Sequence, residues 1–128
     1  SVPGLAAKPV IDLIPEVTSL DALDGLTPVL GGAGYECLGA YGLPRRRYFR
    51  RDRQGTREVH CHAYATGDPE IMRHLAFRDH LRRSPADRDA YAAVKKRCAA
   101  SSADMAAYCD CKDAFVKSLE AKALEALT

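Results

Sequence analysis

The sequence predicts an α/β fold of the α+β kind: a small mixed or largely antiparallel sheet packed by helices, with a C-terminal three-helix segment. Residues 1–65 hold most of the glycines and the β-branched and aromatic runs, which suit strands and turns. Residues 68–127 are rich in Ala, Leu, Lys, Arg and Asp and almost free of glycine, which suits helices. A length of 128 residues, 47% hydrophobic and 28% charged, fits one soluble domain over 1–128 with one core, since two independent halves would each be marginal.

The elements follow in order. Lys8-Pro-Val-Ile-Asp-Leu-Ile is short, apolar and bounded by prolines, so a buried strand with one charged residue is expected over 8–14. Ser19 or Asp21 caps a helix running to about Leu30, where Gly31-Gly32-Ala33-Gly34 stops it. Residues 35–38, 46–51 and 58–64 read as three strands, and the turn residues 52–56 join the last two into a hairpin. Asp68-Pro69-Glu70 opens the helical half with Asp68 as N-cap and Pro69 in the first turn. Ser84-Pro85 repeats that device for a helix to about Ala99, and Ser101 or Ser102 starts a third that ends near Leu127.

Composition excludes several function classes. Nineteen basic against seventeen acidic side chains leave a net charge of +2, so bulk charge alone does not make a nucleic-acid binder and any attraction for polyanions must come from local clustering. No apolar run approaches the roughly 18 residues of a membrane span, and the N-terminus lacks the pattern of an export signal. Cys37, Cys61, Cys98, Cys109 and Cys111 are odd in number and lack the spacing of a disulfide framework or metal knuckles. Free thiols in a reducing cytoplasm are expected. Cys109-Asp-Cys111 on a helix points its thiols about 200° apart, so both cysteines read as structural rather than as a chelate.

Four features stand out chemically. Asp12 interrupts an apolar strand and needs a cation, a metal or a strand-end position where it caps a turn. His60-Cys-His62 puts two imidazoles on one face of a strand roughly 7 Å apart, which suits a metal or a phosphate and equally a pair of surface histidines. Residues 45–53 contain six arginines. Alternation sets Arg45, Arg47, Phe49 and Arg51 on one face and Arg46, Tyr48 and Arg50 on the other. Guanidinium forks there could recognise phosphate or carboxylate, or could solvate an edge strand. In the helices, a wheel gathers Ile71, Leu75, Phe77 and Leu81 on one arc with His74 and Arg78 inside it. Tyr91-x-x-x-Lys95 and Tyr108-x-x-x-Lys112 each place a lysine on an apolar stripe, either as a snorkelling stem or as part of a basic, ligand-lined cleft between helices and sheet.

Taken together, Ser-Val-Pro-Gly-Leu-Ala-Ala-Lys-Pro-Val-Ile-Asp (1–12), Arg-Arg-Tyr-Phe-Arg (46–50), His-Cys-His (60–62), Arg-His-Leu-Ala-Phe-Arg-Asp (73–79), Tyr-Ala-Ala-Val-Lys (91–95) and Tyr-x-x-x-Lys-x-x-Phe-Val (108–116) resemble the GrpB family across essentially the whole chain. That family is placed in the nucleotidyltransferase superfamily and also occurs fused behind dephospho-CoA kinase. The resemblance implies a nucleotidyltransferase-like fold in which carboxylates on a strand hold a divalent metal against a nucleoside triphosphate. Asp12 matches the first carboxylate, and Ile14 stands where the second would be. His60 and His62 match the family's paired histidines and would supply the missing ligands, favouring Zn or Mn over Mg. Lys8, Arg46, Arg47, His74, Arg78, Tyr91, Lys95 and Lys112 fall on matching positions and would hold an anion. Family members carry a strand ending in His-x-Gly-Ser-Thr just before Ser-Val-Pro-Gly-Leu, so the resemblance implies either a first strand upstream of Ser1 or a protein that lacks the phosphate-holding turn and with it the basis for transferase activity.

The resulting expectation is a cytoplasmic, metal-dependent transferase that binds a nucleotide or other phosphorylated small molecule. Asp12, His60 and His62 are its candidate catalytic groups, gathered around Mg, Mn or Zn, and preorganised cations stabilise the transferred charge. The alternative is a non-catalytic accessory, folding-assistance or ligand-binding module like that fused to dephospho-CoA kinase. Neither reading calls for a membrane or nucleic-acid partner.

Overall fold

A long hairpin forms the centre of the sheet in the computed structural model, which describes residues 2–5 and 9–127. Its strands are β4 (Arg46–Arg53) and β5 (Thr56–Ala65). Gln54 and Gly55 join them with φ of 52° and 78°, the left-handed pair that a two-residue turn needs to match strand twist. β3 (Tyr35–Cys37) pairs antiparallel with the outer edge of β4. On the far edge of β5 lie β1 (Ile11–Leu13) and β2 (Glu16–Val17), both parallel to it. The register runs from Ile11 opposite Val59 to Val17 opposite Ala65 at one constant offset, so β1 and β2 are one strand interrupted at Ile14-Pro15. Pro15 has no N–H for the ladder, although its carbonyl still accepts from Tyr64 N at 3.1 Å.

Alternation along β4 and β5 divides the sheet into two chemically different faces. Phe49, Val59, Cys61 and Ala63 are buried on one face beneath Leu23 of α1 (Leu20–Asp24) and Leu30 of α2 (Thr27–Gly32). The other face carries Tyr48 opposite His62, Arg50 opposite His60, and Asp12 opposite His60 from β1. Burial pushes the Cys61 thiol above its usual range, as expected for a cysteine used as core.

Contacts divide the described chain into this sheet unit, drawn from residues 7–71, and a helical unit drawn from 1–6 and 72–128. The helices are α3 (Pro69–Arg83), α4 (Pro85–Ser101) and α5 (Met105–Glu125). Asp68 Oδ1 accepts from Glu70 N, and Ser84 Oγ accepts from Asp87 N, so both expected caps form. Leu81, Tyr91 and Leu119 make the helical core, with Phe77, Phe115, Val116 and the N-terminal Val2 and Leu5 packed around them. The Tyr91 ring meets Phe77 edge-on at 5.5 Å and Phe115 at 6.5 Å. That burial raises its hydroxyl pKa to about 12.

Several expectations need correction. The strand expected to be buried over 8–14 is shorter, and Ile11, Asp12 and Leu13 are all exposed because β1 sits at a sheet edge. The helix expected from residue 19 or 21 to 30 is two short helices, broken at Gly25-Leu26, with Ser19 as the cap of the first. The last helix starts later than Ser101 or Ser102, because Asp104 Oδ1 takes the Ala107 N–H. Not all thiols are free: Cys98 and Cys111 form a disulfide, their Cα atoms 5.7 Å apart. The cause is tertiary, since the turn at 102–104 folds α5 back along α4 and brings the end of one beside the start of the other. Cys37, Cys61 and Cys109 remain thiols.

Candidate functional site

The polar face of the sheet gathers the candidate catalytic groups. Parallel pairing sets Asp12 beside His60, and Asp12 Oδ1 lies 3.4 Å from His60 Nδ1. Their side chains are 69% and 33% exposed, so the pair meets solvent instead of serving as a sealed ion pair. The His60 and His62 rings lie 6.4 Å apart and nearly perpendicular. Tyr48 of β4 lies beside both, with centroids 6.0 Å from His60 and 5.1 Å from His62. Asp12 and His62 thus each neighbour His60 on one face of the sheet. Among the described residues no three His, Cys, Asp or Glu side chains converge closely enough to enclose an ion. Asp12 and His60 offer one carboxylate and one imidazole, a donor set that suits an ion completed by water or by substrate oxygens more than a closed structural zinc site.

The arginines divide by what neutralises them. Arg47 makes two bonds to Asp24 at the end of α1, at 2.8 and 3.2 Å, and Arg50 grips Glu36 of β3 at 2.8 and 3.1 Å. Both acids are consequently held below the usual carboxylate range by their guanidinium partners. Arg51 and Arg53 share Glu58, and Arg45 lies 3.7 Å from Asp68. Arg46 differs: its Nη2 donates to the carbonyls of Tyr41 and Ala40, its guanidinium lies 5.5 Å from the Tyr48 ring centre, and its Nε is buried without a hydrogen-bond partner. In the run 45–53, Arg46 is therefore the guanidinium that no described carboxylate neutralises.

The remaining predicted anion-binding residues belong to the helical unit. Lys95 lies over the Tyr91 ring at 5.1 Å and Lys112 over the Tyr108 ring at 4.8 Å, so each stem folds one turn back onto an aromatic face. Arg78 is engaged by its neighbour Asp79 at 2.9 Å. His74 is half-buried on α3, while Ala76, His80 and Leu81 are the buried residues of that helix. Lys8 lies outside the described residues. Sequence reasoning overlooked His80, whose Nε2 is 2.6 Å from Asp87 Oδ2, and Tyr41, which stacks on Tyr48. The Asp87 carboxylate also takes Lys122 Nζ at 2.8 Å, a pairing across α4 and α5 that no local spacing announces.

Fold and site together define a small mixed-sheet α/β protein with, on one sheet face, a carboxylate–imidazole pair and a guanidinium that no carboxylate among the described residues neutralises. The chain belongs to the GrpB family: the family profile described as GrpB protein matches residues 1–122. It is similar to the UPF0157 protein YqkA of Bacillus subtilis, 40% identical over 124 residues, covering 96% of this chain and 36% of that protein. It is also 35% identical to the UPF0157 protein SCO7215 of Streptomyces coelicolor, covering 96% of this chain and 64% of that one. The chain therefore spans about one to two thirds of the length of these relatives. The crystal structure of conserved protein GrpB from Enterococcus faecalis superposes with a TM-score of 0.90 at 40% identity, covering 98% of this chain and 76% of that one. Among the described residues no helix is long and apolar enough to cross a membrane.

Proposed function

We propose that this chain binds a nucleotide or another phosphorylated small molecule on the polar sheet face and acts there as a nucleotidyltransferase-like protein. The observation that carries this reading is the exposed Asp12–His60 pair, 3.4 Å apart, with His62 and Arg46 on the same face. In this reading Asp12 and His60 would contribute donors to a divalent ion, Mg, Mn or Zn, whose remaining ligands would be water or substrate oxygens, with His62 beside it on the same face. Such an ion would neutralise the charge that develops on a transferred phosphoryl group. Arg46 then offers the anion a cation not already committed to a carboxylate. Labelled nucleoside triphosphates incubated with the protein and Mg or Mn should release pyrophosphate, and Asp12→Ala should abolish the release. A second reading is favoured by Ile14, which stands where the superfamily pattern has its second carboxylate. In that case the protein is a non-catalytic accessory or ligand-binding module, and the same assay gives binding without turnover.

A further inference from the structure

Resting on that reading, we propose that Tyr41 is a stacking platform for the ring of the ligand, so that this face selects nucleotides over simple phosphates. Tyr41 is 61% exposed, yet its ring is fixed: one side stacks on Tyr48 with centroids 5.2 Å apart and planes 16° from parallel. Its backbone has a φ of 48°, a left-handed conformation that side chains with a Cβ rarely adopt. It lies between Gly39 and Gly42, whose φ values of 63° and 91° cost those glycines little. A third glycine at position 41 would relax the loop, so the tyrosine is there against the local backbone preference. Strain of this kind, held by surrounding contacts, points to a ring with work at the surface.

The loop is held by Arg46. Arg46 Nη2 donates to Tyr41 O at 2.7 Å and to Ala40 O at 3.4 Å, while Arg46 N donates to Leu43 O at 2.9 Å. The outer face of the Tyr41 ring is thereby presented before any ligand arrives, which lowers the ordering cost of binding. From Tyr41 the row of rings continues through Tyr48 to His62 and His60, so the platform and the nearer imidazole are no more than about 10 Å apart. A planar base on Tyr41 with its phosphates towards Arg46, His62 and His60 fits that sequence of groups. A sugar phosphate or inorganic phosphate would leave the ring unused.

Calorimetric titration with ATP and with tripolyphosphate, which keeps the charge and lacks the ring, tests the platform. The wild-type chain should bind ATP about tenfold more tightly than tripolyphosphate, the size expected for one stacked base. Tyr41→Gly should remove that advantage and leave tripolyphosphate affinity within about twofold, a margin small beside the stacking effect. Tyr41→Phe, which keeps ring and backbone, should retain it. Equal wild-type affinity for the two ligands, an ATP advantage that survives Tyr41→Gly, or a parallel loss of both ligands would each overturn the platform while leaving anion binding intact. Failure of the wild-type chain to bind either ligand would overturn the platform and the anion-binding reading together.

Discussion

His80 is buried to 9% exposure, an environment that imidazole occupies only with a polar partner. Asp87 supplies it, with Oδ2 at 2.6 Å from His80 Nε2 and 2.8 Å from Lys122 Nζ. The hydrogen bond from Lys122, and then that from His80, hold the Asp87 carboxyl below its ordinary value of 3.8. A carboxyl depressed in the folded state favours folding above its unfolded pKa, and that contribution disappears as the pH falls through the lower, folded value. Wild-type thermal stability should therefore hold its Asp87 contribution at neutral pH and lose it only below about pH 4. Asp87→Asn should lower the melting temperature near pH 7 by about 5 °C and flatten the acid limb of the curve. Circular dichroism melts between pH 2.5 and 7 decide it: identical acid limbs in the two proteins would remove Asp87 from the account. The helical wheel singled out His74 and Arg78 because it sees one helix at a time. The partners that make His80 tolerable come from α4 and α5, where a wheel of α3 has no information.

At the scale of elements, the α4–α5 hairpin is tied at both ends. Asp87 and Lys122 join the start of α4 to the end of α5, and Cys98 and Cys111 join the other end. A crosslink between residues 13 apart removes unfolded-chain entropy worth about 3 kcal/mol. Cys111→Ser, or reduction of the wild type with dithiothreitol, should lower unfolding free energy in urea by about that amount. Cys109→Ser should change it little, because that thiol is exposed and unpaired in the hairpin. Equal urea midpoints for oxidised and reduced wild type would show that the crosslink contributes no stability. Element starts were largely legible: Ser19, Asp68 and Ser84 cap where their spacing to the following residues says. The hairpin was legible too, from the turn residues and alternation. What the sequence could not convey was the break at Gly25-Leu26 or the pairing of Cys98 with Cys111, because both depend on how helices pack. The same holds for the arginine run: alternation assigned each guanidinium a face, but Asp24, Glu36 and Glu58 reach theirs only through register and loop path.

For the whole molecule, the net charge of +2 does not convey that most of the arginines face carboxylates. Arg45, Arg47, Arg50, Arg51, Arg53 and Arg57 each face a carboxylate in the sheet unit. In the helical unit Arg73 pairs with Glu120, Arg78 and Arg82 with Asp79, Lys117 with Asp113 and Lys122 with Asp87. A paired cation contributes a dipole, whose field dies away faster than that of a free charge, so the basic motifs do not add up to a long-range positive potential. That separates two kinds of phosphate ligand. A polyanion needs many uncommitted cations in a row, and a protein that used 6–10 of them would lose roughly a thousandfold or more in affinity between 50 and 200 mM salt. A small ligand needs one or two groups such as Arg46 and His62, and its affinity should fall less than about tenfold over that range. We expect ATP to show this shallow dependence in titrations at 50, 100 and 200 mM KCl, and a random 30-base-pair duplex to show no mobility shift at 150 mM. A steep salt slope for ATP, or retention of the duplex, would mean that the ion pairs open to release their arginines and that the sheet face recognises a polyanion instead of a nucleotide.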